Sequence, residues 1–245
     1  MDEDIIKELV QSERALQPRL GGRKLLKILT PKLKDLGILI GRDRFFNVLK
    51  RQGLLLEKLP SSPRTTNSYH RLPIFLNMIK GRQLTAPNQV WASDITYIRK
   101  EDTFMYLSLI TDMYSRKIVG YHLSEGLEAE ETLKALQMAL QCKPSGAMPI
   151  HHSDRGSQYC SHFYIRELEK NKMVASMTEK NHCAENALAE RVNGILKQEY
   201  GLSYKFRDAM QARQAVSQAV ELYNTMRPHC SLGLETPEHV HRMAA

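Results

Sequence analysis

The sequence predicts an α/β protein in which a mixed five-stranded sheet is preceded by a small all-α domain. Three observations predict this architecture. Residues 1–57 carry apolar side chains at helical spacing. From Val90 onward, three apolar runs of strand length follow one another with short polar turns between them. After the third run, helical and strand patterns alternate, which favours one mixed sheet with helices packed against it.

The front of the chain divides into three short helical patterns. Apolar residues recur at helical spacing over residues 5–15 and 23–29, and a third amphipathic segment covers residues 43–52. Pro31 interrupts the second pattern, because proline lacks the N–H group that a helix interior uses. The sequence therefore does not predict the residue at which the second helix ends.

The third helical segment has one apolar face and one basic face. The residues expected to pack inward are Phe45, Phe46, Val48 and Leu49. The residues expected to face outward, and the candidates for DNA binding, are Arg42, Arg44, Asn47, Lys50 and Arg51. A helix, a turn and a short basic helix are typical of a helix-turn-helix, whose second helix enters the major groove. The alternative is a three-helix packing module that does not touch DNA.

Charge is unevenly distributed along the chain. Residues 1–89 contain 17 Lys and Arg against 8 Asp and Glu, whereas residues 90–245 contain 18 against 19. The basic excess therefore lies entirely in the front third, which favours a polyanionic partner such as nucleic acid. Solubility alone would explain a formal net charge of +8, and it explains the placement of that charge at one end less well.

Residues 58–88 show neither helical nor strand periodicity. A Pro-Ser-Ser-Pro stretch near the start of this segment is typical of a linker. Lys80 and Arg82 suggest an arm that follows a phosphate backbone, and an arm docked on the protein core is the alternative. The predicted division is a helical DNA-binding domain at 1–57, a linker or arm at 58–88, and a core with C-terminal helices at 89–245.

The core contains five strand patterns and several helices. The strand-like runs are at residues 90–99, 103–112, 117–124, 147–153 and 172–177. The predicted helices are at residues 129–141, 161–170 and 186–197. Three meandering strands followed by alternating helix and strand give the mixed sheet.

Three acids lie on separate elements of this core. Asp94 lies inside the first strand pattern, where a carboxylate is costly unless something pairs with it. Asp154 follows the fourth strand and Glu190 lies on a later helix, with 35 residues between them. Such acids could converge on divalent cations, because hard oxygen ligands suit Mg²⁺ or Mn²⁺. Two such ions can clamp the attacking and leaving oxygens of a phosphoryl transfer.

The helix that carries Glu190 is amphipathic. At about 100° per residue, Lys197 falls about 20° from Glu190 on the helical wheel. Leu188, Val192 and Ile195 fall on the opposite face, which is apolar enough to be buried. A solvated helix face could show the same pattern, so the upstream acids carry more of the argument for a site than this helix alone.

Other residues compete for a role in the site. Asp112 and Glu185 are interpreted as structural, the first pairing near Ser115 and the second capping the Glu190 helix. His151 and His152 are adjacent strand residues that point to opposite faces, so both cannot easily serve one site, and a metal or DNA contact by His152 is the open alternative. Trp91 is interpreted as a core residue rather than a base-stacking platform. The residues interpreted as docking a C-terminal helix on the core, with DNA contact as the alternative, are Tyr223, Asn224, Arg227 and His229.

Several motifs keep their order and spacing over most of the chain. They are WASDITY at 91–97, DMYSR at 112–116, HSDRGSQY at 152–159, NALAE at 186–190 and YNTMRPH at 223–229. Together they resemble the D,D(35)E catalytic core that retroviral integrases share with many bacterial insertion-sequence transposases. The phrases are most similar to the OrfB-type transposase subunit of insertion-sequence family three.

This resemblance implies a ribonuclease-H-like fold and a DNA transposase or integrase that cleaves and joins the ends of an insertion sequence. It implies that Asp94, Asp154 and Glu190 are the catalytic residues and hold two Mg²⁺ ions, for which Mn²⁺ would substitute. It also implies that Lys197 contacts phosphate near the scissile bond. The competing hypotheses are a ribonuclease-H-fold nuclease and a DNA-binding protein whose catalytic core has decayed.

The expected partners follow from the same resemblance. They are the transposon ends, target DNA, further copies of the chain in a synaptic complex, and a helix-turn-helix protein supplied by an upstream reading frame. No run of 18 apolar residues is present, and the four cysteines have no CxxC spacing. We therefore expect a cytoplasmic, nucleoid-associated protein that does not contact membranes.

Overall fold

The computed structural model describes residues 2–57, 72–179 and 186–244. Residues 58–71 of the linker or arm predicted at 58–88, and the predicted cap Glu185, lie outside the described residues. Three helices come first: α1 (Asp2–Leu16), α2 (Gly22–Asp35) and α3 (Arg42–Arg51). The five strands are β1 (Val90–Lys100), β2 (Thr103–Asp112), β3 (Ile118–Ser124), β4 (Ile150–Ser153) and β5 (Val174–Met177). The remaining helices are α4 (Ala129–Gln141), α5 (His162–Lys170), α6 (Ala187–Glu199), α7 (Ala209–Thr225) and α8 (Pro237–Met243).

The three N-terminal helices enclose a core of their own. Its buried residues include Ile6 and Val10 from α1, Leu25 and Leu29 from α2, and Phe45, Val48 and Leu49 from α3. Phe46 is only partly buried against this cluster. The inward face predicted for α3 is therefore present, with Phe46 at its margin.

Helix α2 does not end at Pro31. The helix continues through Pro31 to Asp35, which settles the boundary that the sequence left open. Leu29 and Leu33, on either side of the proline, are both buried in the same cluster, so packing holds the helix on both sides. Pro31 itself is exposed, and water can hydrate the carbonyl that loses its helical partner.

The five strands form one mixed sheet in the order β3-β2-β1-β4-β5. The β1–β2 and β2–β3 pairs are antiparallel, whereas β1–β4 and β4–β5 are parallel. Ala92 on β1 is in register with His152 on β4, so Asp94 and Asp154 are each two residues beyond paired positions. The predicted mixed five-stranded sheet is confirmed, although β4 begins at Ile150 and β5 at Val174, later than their patterns indicated.

Helices cover both faces of the sheet. On one face, α6 and α7 pack against strand residues that include Ile98, Leu107 and Leu109. On the other face, α4 and α5 pack against Trp91 and Ile110. Side chains alternate between faces along a strand, so Asp94, four residues before Ile98, faces α6.

Helix α4 lies close against β3 at Gly120. A Cβ atom on Gly120 would lie 2.2 Å from the carbonyl oxygen of Ala135 and 2.9 Å from the Cβ of Ala139. We expect Gly120→Ala to lower the free energy of unfolding by roughly 1–3 kcal/mol, because helix and strand must separate. Urea denaturation would measure the change.

Gly194→Ala is the matched control for that change. A Cβ atom on Gly194 meets no atom within 4 Å, and Gly194 lies inside α6. Alanine should therefore stabilise the protein there by about 0.5–1 kcal/mol through helix propensity. Equal stability of the two variants would contradict the close packing at Gly120.

The C-terminal segment is docked on the sheet by polar contacts. Asn224 binds both backbone groups of Ile118, accepting from its N–H at 2.9 Å and donating to its carbonyl at 2.9 Å. The Tyr223 hydroxyl donates a 3.0 Å hydrogen bond to the carbonyl of Arg116. These contacts agree with the docking role predicted for this motif. In the described part of the chain, no helix is long and apolar enough to cross a membrane.

Candidate active site

Asp94 lies in the middle of β1 on the face that α6 covers. Asn193 of α6 donates a 2.7 Å hydrogen bond from its Nδ2 to Asp94 Oδ2. Burial raises the pKa of the Asp94 carboxyl to about 7, and the charges of Asp154 and Glu190 add to the rise. The hydrogen bonds from Asn193 and from the Ile95 N–H act in the opposite direction on this pKa. Asp94 therefore interacts electrostatically with each of the other two predicted acids.

Asp154 is held at the end of β4 by the turn that follows it. Its Oδ1 accepts a 2.9 Å hydrogen bond from the Gly156 N–H. A Cβ atom on Gly156 would lie 3.0 Å from that same Asp154 Oδ1 and 3.1 Å from Gln158 Oε1. A larger residue at position 156 would therefore clash with the Asp154 carboxylate, so glycine at this position helps to keep that carboxylate in place.

Helix α6 carries the third acid and a basic residue on one face. Glu190 is exposed in its first turn, and Lys197 lies two turns farther along. Val192 and Ile195 are buried against the sheet, as the helical wheel predicted. Burial lowers the pKa of Lys197, while the charge of Asp94 acts to raise it. Lys197 therefore faces the same neighbourhood as the acids.

Two polar residues of this neighbourhood were not predicted from the sequence. Asn193 lies three residues after Glu190, so a helical wheel that included amides would have placed it beside the acid. Asn186 donates from Nδ2 to the backbone carbonyl of Ser93 at 3.1 Å. The Ser93 hydroxyl in turn lies 3.0 Å from the Tyr159 hydroxyl. No local sequence signal predicts these two contacts, because they join residues at least 66 positions apart.

Comparison with known proteins identifies the family. Two models, each described as an integrase core domain, match residues 85–183 and 171–237. An insertion element IS600 protein of 31 kDa from Shigella sonnei is 39% identical over 223 residues, which cover 89% of this chain and 82% of that protein. The transposase InsF of insertion sequence IS3A from Escherichia coli is 34% identical over 194 residues, covering 78% of this chain and 67% of that protein. The chain belongs to the IS3-type insertion-sequence transposases with an integrase core.

Solved structures show the same fold for this transposase. The HTLV-2 integrase catalytic core domain, solved in complex with magnesium, matches with a TM-score of 0.52 and 19% identity, covering 65% of this chain and 99% of that one. A chain of the simian T-cell lymphotropic virus intasome matches with a TM-score of 0.55 and 20% identity, covering 90% of this chain and 74% of that one. The predicted ribonuclease-H-like fold and the predicted family are confirmed. The transposase is thus a DNA-transposing protein of a polynucleotidyl transferase family.

The acids of the transposase offer the right donor atoms for a hard divalent cation. Carboxylate oxygens suit Mg²⁺ and Mn²⁺, and burial together with the charges of Asp154 and Glu190 raises the pKa of Asp94. Across residues 2–57, 72–179 and 186–244, no three His, Cys, Asp or Glu side chains form a group that could hold a metal ion. Asp94 therefore interacts electrostatically with the other two acids, but the described residues do not form a closed ligand set.

The competing residues have structural contacts in the transposase. Asp112 is fully buried, and its Oδ1 accepts hydrogen bonds from the Ser115 N–H at 2.7 Å and the Ser115 hydroxyl at 2.8 Å. His151 Nε2 lies 2.8 Å from the Tyr164 hydroxyl, whereas His152 Nδ1 lies 3.0 Å from the Ser176 hydroxyl. Trp91 is buried in the core, as predicted.

The five candidate DNA-binding residues of α3 are all exposed: Arg42, Arg44, Asn47, Lys50 and Arg51. Three of them lie near acids. Arg51 forms an ion pair with Glu3, and Arg44 lies 3.9 Å from Asp2 in the first turn of α1. Arg42 Nε lies 2.9 Å from Asp43 Oδ1. Exposed pairs of this kind are worth at most about 1 kcal/mol, so they leave these side chains available to a stronger anion.

Proposed function

We propose that Asp94, Asp154 and Glu190 are the catalytic residues of this transposase and that they bind two Mg²⁺ ions. The observation that carries the proposal is the position of Asp94, half-buried in the sheet with the charges of Asp154 and Glu190 acting on it. A carboxylate that is partly shielded from water among like charges is costly unless cations balance it. Bound there, Mg²⁺, or Mn²⁺ in its place, would activate the attacking oxygen and stabilise the leaving 3′-oxygen.

The protein residues would orient the site and attract the substrate. Asn193 holds one Asp94 oxygen by its 2.7 Å hydrogen bond, which fixes the orientation of the carboxylate. Lys197, on the same helix face, would contact a phosphate beside the scissile bond. A water molecule as nucleophile would cleave at an insertion-sequence end, and a 3′-hydroxyl as nucleophile would join that end to target DNA. Neither step requires a covalent bond between protein and DNA.

The helical front of the chain would supply part of the DNA contact. Helix α3 presents exposed cations, and residues 1–89 hold the basic excess of the chain. The proposed division of labour places DNA binding in residues 1–57 and chemistry in residues 89–245. Oligomerisation on paired ends, cooperation with an upstream-frame protein and association with the nucleoid are parts of the same proposal.

The experiment that tests this proposal is a cleavage and joining assay. The full chain is incubated with Mg²⁺ and a labelled duplex that carries the end of its own insertion sequence. We expect a nick at the end and a larger product in which that end is joined to a second duplex. Nicks without any joined product would favour the nuclease alternative, and DNA binding without nicks would favour a decayed core.

A further inference from the structure

The last residue of α6, Glu199, lies between two cations from opposite ends of the chain. Lys24 Nζ of α2 lies 3.1 and 3.2 Å from the two Glu199 carboxylate oxygens. Arg227, which follows α7, binds the same two oxygens at 2.7 and 2.8 Å in a bidentate pair. One carboxylate therefore joins the N-terminal helices, the Glu190 helix and the C-terminal segment.

These three side chains are largely shielded from water. Their exposed fractions are 13% for Lys24, 18% for Glu199 and 2% for Arg227. Burial lowers the pKa of Lys24, and the charge of Arg227 adds to that decrease. The hydrogen bonds and charges of Arg227 and Lys24 hold the pKa of Glu199 below its usual value despite burial. Such a network tolerates little displacement, because any separation leaves a charge buried without its partner.

Further contacts attach the N-terminal helices to the same end of α6. The Arg19 N–H donates a 3.4 Å hydrogen bond to the Glu199 carbonyl. The Tyr200 hydroxyl donates to Gln17 Oε1 at 3.1 Å. Helix C-termini have unpaired carbonyls and a partial negative charge, so an N–H donor and an ammonium group at this end are both favourable.

The end of α6 held in this way is continuous with its catalytic face. Glu199 lies nine residues after Glu190 on one helix, a distance of about 13 Å along the axis. Asn193 and Lys197 lie between them, and Asn193 is bound to Asp94. A helix of this length moves nearly as a rigid rod, so its orientation at Glu199 also sets where Glu190 lies relative to Asp94.

We propose that Lys24 and Glu199 are positioning residues, through which the N-terminal helices set the orientation of the catalytic helix α6. The inference rests on the proposed catalytic role of Glu190 and goes beyond it. It assigns the front of the chain a second task besides DNA binding, which is to hold α6 where Glu190 can reach the site of Asp94. An N-terminal module that served only to bind DNA would have no need of a shielded ion pair to the catalytic helix.

The test compares three variants of the full chain. Lys24→Met removes the ammonium group but keeps a long apolar stem and leaves the Glu199–Arg227 pair intact. Lys24→Arg keeps the charge and should restore function. Lys27→Met is the matched control, because Lys27 lies one turn along α2 in a half-exposed pair with Glu235. Each variant is measured for its nicking rate at saturating DNA, its DNA affinity, its melting temperature and the hydrogen exchange of its α6 amides.

We expect Lys24→Met to slow nicking at saturating DNA by about 10–100-fold, because small displacements of a catalytic group cost that much. Its DNA affinity should stay within about threefold of the wild type, its unfolding should remain cooperative, and its α6 amides should exchange faster. Lys24→Arg should recover most of the rate, and Lys27→Met should nick within about twofold of the wild type.

Several results would overturn the inference. An unchanged nicking rate with unchanged α6 exchange would show that Lys24 does not hold the helix. Loss of DNA affinity alone would make the network an anchor for DNA binding, and loss of cooperative unfolding would make it a determinant of stability. The exchange measurement needs no catalysis, so it separates this inference from the proposed function, which fails if the wild type itself neither nicks nor joins DNA.

Discussion

Replacing either Asp154 by Asn or Glu190 by Gln should lower the rate of nicking and of end joining by at least about 10³-fold. Both changes keep the size of the side chain and remove a charged oxygen ligand. Mutating a residue that only supports a metal ligand lowers metal affinity or activity by about 10–100-fold, so mutating a ligand itself should lower activity more. Neither residue lies on the basic α3, so DNA affinity measured by filter binding should stay within about threefold of the wild type.

The matched control for these variants is Glu130→Gln. Glu130 is an exposed carboxylate in the first turn of α4, and this change removes a charge without touching the three acids. Its nicking rate should stay within about twofold of the wild type. Nicking at the wild-type rate by the Asp154 or Glu190 variant would remove that residue from the catalytic set.

Lowering the pH from 7.5 to 5.0 should destabilise the protein through two buried histidines. Burial lowers the pKa of His151 to about 3. Burial also lowers the pKa of His229 to about 3, and the charge of Arg227 adds to that decrease. Between pH 6.5 and 3 the unfolded chain therefore binds more protons than the folded one, so stability falls as pH falls. At pH 5.0 the two histidines together should lower the free energy of unfolding by about 4 kcal/mol relative to pH 7.5.

The Asp94 carboxyl has the opposite effect on stability, so its contribution must be removed from the measurement. The pKa of Asp94 is raised to about 7, so the folded protein takes up a proton there as the pH falls. That proton uptake should raise the free energy of unfolding by about 2–3 kcal/mol over the same pH range. Urea denaturation is therefore best compared at pH 7.5 and 5.0 in an Asp94→Asn background, where the loss should be about 4 kcal/mol.

A second variant tests whether His151 causes part of this pH-dependent loss of stability. Adding His151→Phe together with Tyr164→Phe removes the histidine without leaving the Tyr164 hydroxyl unpaired, since the two side chains are 2.8 Å apart. The loss of stability between pH 7.5 and 5.0 should then fall to about 2 kcal/mol. An unchanged loss would mean that His151 does not stay neutral inside the folded protein.

Much of the architecture follows from local patterns in the sequence. The 3.6-residue and two-residue periods predict α4 and the three meandering strands to within a residue or two, because each of these elements buries a face with a regular repeat. The short strands β4 and β5 begin later than predicted, since apolar residues before them do not join the ladder. The sequence does not predict where α2 ends, because the helix continues past Pro31 only where Leu33 packs into the N-terminal core.

The sequence by itself determined the order of the elements and the family, because both follow from local spacing and short motifs. The same motifs predict the three acids that we propose as catalytic. Only the tertiary structure decided that Asn193 binds Asp94 and that Glu199 joins Lys24 to Arg227. Those contacts link residues 28 to 175 positions apart. The packing of the sheet and helices determines which of these residues meet, and no local periodicity in the sequence predicts it.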